Sequence, residues 1–248
     1  MLESKRSSMD RTFQPPTPAT VIVDFGLGNL FSVQKACAAV GLSTGITSCR
    51  RTIAEAEGII LPGVGAFGDA MRNLERLDLV GPLREAAAMG KPIIGICLGM
   101  QLLLSESEEF GRHRGLNLIS GRVRKFDCPR SAHGKLKVPQ VGWNTVHLPD
   151  GDGAAWIDSP LHTTDDGEAF YFVHSYYAEP ANARDVLAAT SYGDFEFCSA
   201  VRRENVVGFQ FHPERSGPAG LRLYAAIAEF IGRYRASASS IEKGLYAA

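Results

Sequence analysis

The sequence predicts an α/β domain with a mostly parallel central sheet flanked by helices, and a smaller antiparallel, β-rich part in the C-terminal half. In the first part of the chain, short apolar segments alternate with helix-like segments, as expected of parallel strands joined by right-handed crossovers. From Gly121 onward, strand-like segments follow one another with turn residues between them, which favours antiparallel pairing. A chain of 248 residues is long enough for one large domain with a hydrophobic core.

The predicted elements begin after an N-terminal extension. Residues 1–19 contain three prolines and few apolar residues, so we expect them to be flexible. The first strand is predicted at 20–24. Gly26 and Gly28 then predict a turn rather than a dinucleotide site, because the third glycine of that fingerprint is absent. The next predicted elements are a helix through 32–36, a strand at 58–61, helices at 69–77 and 82–89, and a strand at 91–96.

The C-terminal half is predicted to be rich in β-structure. Apolar, β-branched and aromatic residues concentrate in three segments, at 138–144, 169–177 and 186–190. A hairpin is predicted with arms at 195–202 and 206–211. A final helix from Ala219 to about Arg235 closes a domain that spans 20–236, which leaves 237–248 as a C-terminal tail.

Net charge, apolar runs and the spacing of cysteines and histidines exclude several kinds of partner and site. The net charge of −1 points to neither a nucleic-acid nor a membrane partner, and no apolar run approaches the roughly 18 residues that span a bilayer. Residues 1–6 lack the apolar core of a signal peptide. Five cysteines without a CxxC pair and six histidines without HxxxH spacing indicate no disulfide framework, no metal site and no cofactor. A reducing cytoplasm fits these features best.

Cys97 lies between a strand-like and a helix-like segment, in Gly95-Ile96-Cys97-Leu98-Gly99. Small residues two positions on either side permit the sharp turn of a nucleophile elbow, and a helix N-terminus favours the thiolate. The backbone N–H of Leu98 would face the oxygen of an attacked carbonyl. After Leu98, the spacing of leucines predicts an amphipathic helix with an acidic end at 105–109. The alternative for Cys97 is a buried core cysteine, and that structural interpretation is kept for Cys37, Cys49, Cys128 and Cys198.

His212 and Glu214 follow a strand-like segment, and Pro213 between them ends strand pairing. An imidazole can take the proton of a thiol and later protonate a leaving amine. A carboxylate on its other ring nitrogen would fix its tautomer. The alternative is a surface His beside a surface Glu. An elbow cysteine elsewhere in the chain favours a Cys-His-Glu triad.

These residues resemble those of the class I glutamine amidotransferases. The patterns Gly95-x-Cys97-x-Gly99-x-Gln101 and His212-Pro213-Glu214 are similar to that family's glutaminase motifs, which implies the class I glutamine amidotransferase fold. A narrower resemblance is to the glutaminase subunits of imidazole glycerol phosphate synthase, an enzyme of histidine biosynthesis. It covers about 21–230 and rests on the segments 24–30, 61–67, 95–103, 141–144, 171–176 and 208–216.

The resemblance implies roles for individual residues. Cys97 would attack the side-chain amide of L-glutamine to form a glutamyl thioester, His212 would act as acid and base, and Glu214 would orient His212. The oxyanion would be held by the backbone of Leu98 and of Gly63 or Val64. The residues implied in binding the substrate are Gln101, Glu109, His174, Ser175 and Tyr176. For 105–109 the alternative is a solvated helix end.

The resemblance also implies a partner. Ammonia would pass to a separate cyclase subunit, in a heterodimer that makes imidazole glycerol phosphate and aminoimidazole carboxamide ribotide. The alternatives are a glutaminase subunit of anthranilate or aminodeoxychorismate synthase, or a non-catalytic scaffold of the same fold. Eight basic residues and a single Asp stand between 111 and 137. We interpret this segment as a solvated face, or else as a surface for a partner.

Overall fold

The computed structural model describes residues 19–132, 134–149 and 154–245. The predicted N-terminal extension, apart from Ala19, and residues 246–248 of the predicted tail lie outside the described residues.

Strands and helices alternate through the first part of the chain, and strands dominate the second. The strands are β1 (Thr20–Val23), β2 (Thr44–Thr47), β3 (Gly58–Gly63), β4 (Ile93–Cys97), β5 (Glu106–Ser107), β6 (His113–Arg114), β7 (Gly121–Lys125), β8 (Arg130–Ser131), β9 (Gly134–Lys135), β10 (Gln140–Val146), β11 (Glu168–His174), β12 (Tyr176–Pro180), β13 (Val186–Tyr192), β14 (Phe195–Arg203) and β15 (Val206–Phe209). The helices are α1 (Leu30–Ala39), α2 (Arg50–Glu55), α3 (Phe67–Arg76), α4 (Val80–Ala88), α5 (Leu98–Leu102), α6 (Ala154–Ile157) and α7 (Gly217–Leu245).

One large sheet forms the centre of the molecule, in the order β2-β1-β3-β4-β15-β14-β12-β7-β5-β6, with β13 paired to β14. The neighbours from β2 to β15 are all parallel. The pairs from β15 to β7 are antiparallel. Strands β10 and β11 form a separate antiparallel pair. The predicted fold class, a mostly parallel centre with a smaller antiparallel part, is confirmed.

Each face of the parallel strands carries its own hydrophobic core because side chains alternate along a buried strand. In β3, Ile59 and Leu61 pack on one face with residues of α2, α3 and α4. Ile60 faces the other side, where residues of α1 and α7 cover it. The helices therefore lie on both sides of the sheet and leave the ends of the strands open to form a site.

A helix begins at Leu98 as predicted, but its predicted acidic end at 105–109 is wrong. Helix α5 ends at Leu102, and Glu106–Ser107 form strand β5. The reason is that a later loop takes the carbonyl groups that a longer helix would use. Residues 115–119 donate backbone hydrogen bonds of 2.8–3.0 Å to the carbonyl oxygens of residues 102–105.

Three other expectations need adjustment. The segment predicted at 169–177 is split at Ser175 into β11, which pairs with β10, and β12, which joins the main sheet. Helix α7 continues to Leu245, beyond the predicted end near Arg235. All five cysteines are free, and Cys37 and Cys198 are buried. Cys49 and Cys128 were also interpreted as structural core cysteines, and this is wrong because both are exposed.

Candidate active site

A strained turn places Cys97 at the end of β4. Its φ of 54° lies in the left-handed region, which a side chain with a Cβ rarely adopts. The glycines on either side are required by close packing. A Cβ on Gly99 would lie 1.6 Å from the carbonyl oxygen of Leu61, and one on Gly95 would lie 2.7 Å from the amide nitrogen of Met100. The strand-to-helix elbow predicted from these glycines is therefore present.

The sheet order brings three distant segments together around Cys97. Strand β4 lies between β3 and β15, and all three run parallel. Gly63 pairs with Cys97 on one side, and Phe209 pairs with Ile96 on the other. The loop after β3 and the segment that contains His212 thus meet at the C-terminal end of β4, where ligands bind in open α/β sheets.

His212 and Glu214 form a buried pair. The Nδ1 of His212 and the Oε1 of Glu214 are 2.7 Å apart, and the two side chains are only 4% and 3% exposed. The His212 backbone is fixed as well, since its N–H donates to Tyr171 at 2.8 Å and its carbonyl accepts from the Ser216 hydroxyl at 2.7 Å. Because the carboxylate occupies Nδ1, Nε2 remains for chemistry. It is buried and has no hydrogen-bond partner among the described residues.

The charges around His212 favour its protonated form. Burial alone lowers the pKa of an imidazole. Here the negative charge of the Cys97 thiolate and the hydrogen bond to Glu214 outweigh burial and raise the pKa of His212 to about 10. The direction of this shift favours an imidazolium next to a charged sulfur.

A pocket of about 330 Å³ opens beside the sulfur of Cys97. Of the residues predicted to take part in the site, all except Gly63, His212 and Glu214 line it. Its lining consists of Val64, Gly65, Cys97, Leu98, Gln101, Glu109, Pro139, Val173, His174, Ser175 and Tyr176. The pocket is large enough for one amino acid, and its walls carry a carboxylate, an amide and backbone groups.

Glu109 reaches the pocket from a loop and not from a helix end. Its Oε2 accepts a hydrogen bond of 2.6 Å from the backbone N–H of Phe67, in the first turn of α3. Its own N–H donates to the hydroxyl of Ser107 at 3.1 Å. The positive end of the α3 dipole suits a carboxylate at this position. The charge is therefore held in place at the wall of the pocket.

Gln101 and His174 share one acceptor. The Nε2 of Gln101 donates to the carbonyl oxygen of Tyr176 at 3.0 Å, and the Nδ1 of His174 donates to the same oxygen at 2.8 Å. Burial lowers the pKa of His174 to about 4, so its ring is neutral at neutral pH. The second amide hydrogen of Gln101 is donated to the Oε1 of Gln210, also at 3.0 Å.

Gln210 was missed from the sequence. Its Nε2 lies 3.7 Å from the sulfur of Cys97, and the residue is fully buried. A signal was available, because Gln210 is a polar residue between Phe209 and Phe211 in the otherwise apolar predicted strand at 206–211. Buried amides of this kind have hydrogen-bond partners. The identity of the partner could not be known without the strand order.

A family model for glutamine amidotransferase class-I matches residues 21–226. The chain belongs to the class I glutamine amidotransferases. Among curated members, it is 48% identical over 204 residues to "Imidazole glycerol phosphate synthase subunit HisH" of Syntrophotalea carbinolica, covering 82% of this chain and 96% of that protein. It is 47% identical over 202 residues to the protein of the same name from Rhodopirellula baltica, covering 82% and 93%.

Solved structures agree with the fold. A crystal structure described as glutamine amidotransferase gives a TM-score of 0.64 at 17% identity, covering 86% of this chain and 98% of that one. The structure of PurLQS from Thermotoga maritima gives 0.63 at 19% identity, covering 86% and 99%. At these identities the likeness shows the fold alone, which is the fold that the sequence motifs imply.

Two further observations describe the surface of this glutamine amidotransferase. In the part of the chain that the structure describes, no helix is long and apolar enough to cross a membrane.

The basic segment at 111–137 forms some of its ion pairs within the chain. Arg122 contacts Glu179 at 2.5 Å, and Arg124 lies 3.5 Å from Glu179 and 3.9 Å from Glu108. Exposed pairs of this kind contribute about 0–1 kcal/mol each. They favour the interpretation of a solvated face.

Proposed function

We propose that the chain is the glutaminase subunit of an imidazole glycerol phosphate synthase and acts in the cytoplasm. It hydrolyses L-glutamine to glutamate and ammonia within residues 20–236. The ammonia passes to a cyclase subunit, a separate chain, which makes imidazole glycerol phosphate and aminoimidazole carboxamide ribotide. The observation that carries the glutaminase activity is the buried His212–Glu214 pair beside Cys97. The names of the relatives support the choice of synthase.

The chemistry proceeds in two stages. The Cys97 thiolate attacks the side-chain amide carbon of glutamine, and the developing oxyanion accepts N–H bonds from Leu98 and from the Gly63–Val64 backbone. His212 protonates the nitrogen, ammonia leaves, and a glutamyl thioester remains on Cys97. His212 then takes a proton from water, and the hydroxide attacks the thioester to release glutamate and regenerate the thiolate. Glu214 holds the ring through both stages.

The pocket accounts for recognition of the amino-acid end. The Glu109 carboxylate suits the α-ammonium group of glutamine, and charge-assisted hydrogen bonds of this type are the stronger ones. Both amide hydrogens of Gln101 are already donated within the protein. Gln101 therefore contacts the substrate through its Oε1 as an acceptor. The backbone from His174 to Tyr176 lines the opposite part of the same pocket.

A docking face for the cyclase lies next to the triad. We define the hairpin face as Val141, Trp143, Tyr171 and Arg215, all on or beside β10 and β11. Val141 and Trp143 are 58% and 60% exposed and lie two positions apart on β10, so they form a contiguous exposed apolar patch of the kind that partners cover. The Trp143 ring meets the Tyr171 ring edge-on at 6.3 Å, and the Arg215 guanidinium lies 4.3 Å from the centre of the same ring. Aromatic and Arg side chains are typical anchors of interfaces.

The hairpin face is also connected to His212 through a backbone hydrogen bond. The carbonyl oxygen of Tyr171 accepts the backbone N–H of His212. A cyclase seated on the face would therefore press on the strand that holds the catalytic base. We propose a heterodimer in which the cyclase, with its nucleotide ligand bound, raises glutaminase turnover.

Glutamate release by the isolated chain, with and without a candidate cyclase and its nucleotide ligand, tests the proposal. We expect slow hydrolysis alone, a large acceleration with the cyclase, and no hydrolysis by Cys97→Ala in either case. Cys49→Ala, which changes an exposed cysteine away from the pocket, is the matched control and retains wild-type rates. Hydrolysis by Cys97→Ala would refute the nucleophile, and equal turnover with and without the cyclase would refute the coupling.

A further inference from the structure

Gln210 stands beside the nucleophile because of strand register. Phe209 pairs with Ile96 across the parallel β15–β4 ladder, so the next residue on each strand is Gln210 and Cys97. The Gln210 backbone is held by its N–H bond to Ser199 at 2.9 Å. Its side chain is fully buried, and its Nε2 is 3.7 Å from the sulfur, within the range of N–H···S hydrogen bonds.

The orientation of the Gln210 amide follows from a chain of hydrogen bonds. A backbone carbonyl oxygen can only accept, so the end of Gln101 that faces Tyr176 must be its NH₂ group. The same NH₂ group faces Gln210, which must therefore present its oxygen to Gln101. The NH₂ group of Gln210 is left pointing at Cys97. The Tyr176 carbonyl thus sets the direction of every bond up to the sulfur.

We propose that Gln210 is a catalytic residue that donates a hydrogen bond to the Cys97 thiolate, and that Gln101 is the positioning residue that keeps it turned toward the sulfur. The inference rests on the proposed role of Cys97 as the nucleophile. A buried donor favours the charged sulfur over the neutral thiol, since hydrogen bonds to charged groups in a low-dielectric site are the strong ones. It also holds the sulfur in one position before glutamine arrives.

Other titratable groups face the same sulfur and must stay unchanged in the test. His212 lies after β15 with Glu214 behind it, His174 ends β11, and Glu109 and Tyr176 stand on the pocket walls. None of them is altered by substitution at Gln210. A change in the behaviour of Cys97 is then due to the lost donor.

The experiment measures alkylation of Cys97 by iodoacetamide as a function of pH on the free chain, with the modified peptide quantified by mass spectrometry because Cys49 and Cys128 are also exposed. Gln210→Met keeps the length of the side chain and removes the donor. We expect the midpoint of the profile to rise by about one pH unit, the low end for a hydrogen bond to a charged group, since the N···S distance is long. At pH values below both midpoints, Gln210→Met is then alkylated about tenfold more slowly than the wild type. Gln34→Met is the matched control and keeps the wild-type profile, since it removes a glutamine on α1 whose Nε2 donates to the backbone carbonyl of Thr44 on β2.

Two further variants separate the outcomes. Gln210→Glu places an acceptor where the donor was and should raise the midpoint of the alkylation profile further. This variant tests the donor role of Gln210 if Gln210→Met does not fold. Gln101→Met should also raise the midpoint in the absence of glutamine, because Gln210 loses its orientation. A purely substrate-binding Gln101 would leave the profile of the free chain unchanged.

Wild-type profiles in both folded Gln210 variants would overturn the inference while Cys97 remains the nucleophile. Failure of the proposed function is recognised differently, by glutamine hydrolysis that survives Cys97→Ala. A variant that lowers only thermal stability, with an unchanged pH midpoint, assigns Gln210 a structural role and also overturns the inference.

Discussion

Replacement of Glu214 by Gln tests how much the buried carboxylate contributes to catalysis. The substitution keeps the shape of the side chain and an acceptor for Nδ1 of His212, but it removes the negative charge 2.7 Å away. A hydrogen bond to a charged group contributes about 1.5–3 kcal/mol, against about 0.5–1.5 kcal/mol for a neutral one. With both side chains almost completely buried, solvent screening does not reduce this contribution.

Because Gln keeps a neutral hydrogen bond, the loss is the difference between the two values, about 1–1.5 kcal/mol. If that energy supports the imidazolium in the transition state, kcat for glutamine falls by about 5- to 13-fold. KM should change little, because Glu214 does not line the pocket beside Cys97. The assay is steady-state glutamate release in the presence of the cyclase, with circular dichroism to verify folding. Glu229→Gln is the matched control, since Glu229 forms a 3.3 Å pair with His162 on the surface and its side chain is 62% exposed. A kcat for Glu214→Gln within threefold of wild type would refute the reasoning.

Three other perturbations follow from the same geometry. His212 should titrate near pH 10 by NMR in wild type and at lower pH in Cys97→Ser, where the thiolate is absent. Because its folded-state pKa lies above the unfolded value of 6.5, this proton stabilises the fold below pH 6.5, and urea unfolding should show that contribution lost as pH rises toward 10. Glu109→Gln should raise KM for glutamine by about 10- to 100-fold with a smaller effect on kcat, measured in the same glutaminase assay. Gly99→Ala should lower the unfolding free energy in urea by about 3 kcal/mol or more, because its Cβ would overlap a carbonyl oxygen of β3. Gly232→Ala, with open space around it in α7, should be neutral or stabilising.

Local patterns in the sequence were sufficient to predict the elbow and the parallel strands. The glycines around Cys97 predict a close backbone approach, and the structure shows which carbonyl makes a side chain at Gly99 impossible. The unbroken apolar run Ile59-Ile60-Leu61 is typical of a strand buried on both faces, and both faces are covered. These features depend on residues close together in sequence, where propensity and spacing carry the information.

Features set by distant contacts could not be predicted in the same way. The helix predicted after Leu98 has suitable spacing, but a loop of residues 115–119 takes the carbonyl groups of its last turn. Glu109 therefore approaches the pocket from a loop and accepts a hydrogen bond from the first turn of α3, although its part in substrate binding was inferred from the family resemblance. The link from Gln101 to Gln210 spans 109 positions, and it exists only because β15 inserts beside β4.

The placement of β15 explains why the second half of the site has its particular spacing. Beyond β15 the chain continues to alternate: Phe209 and Phe211 lie in the core beneath α1 and α7, while Gln210 and His212 face Cys97. One residue more or fewer between β15 and His212 would turn the imidazole into the core and a phenyl ring toward the sulfur. Gln210 and His212 are therefore placed by a single register, that of β15 on β4. The same ladder that buries the two aromatic rings also determines which polar groups meet Cys97.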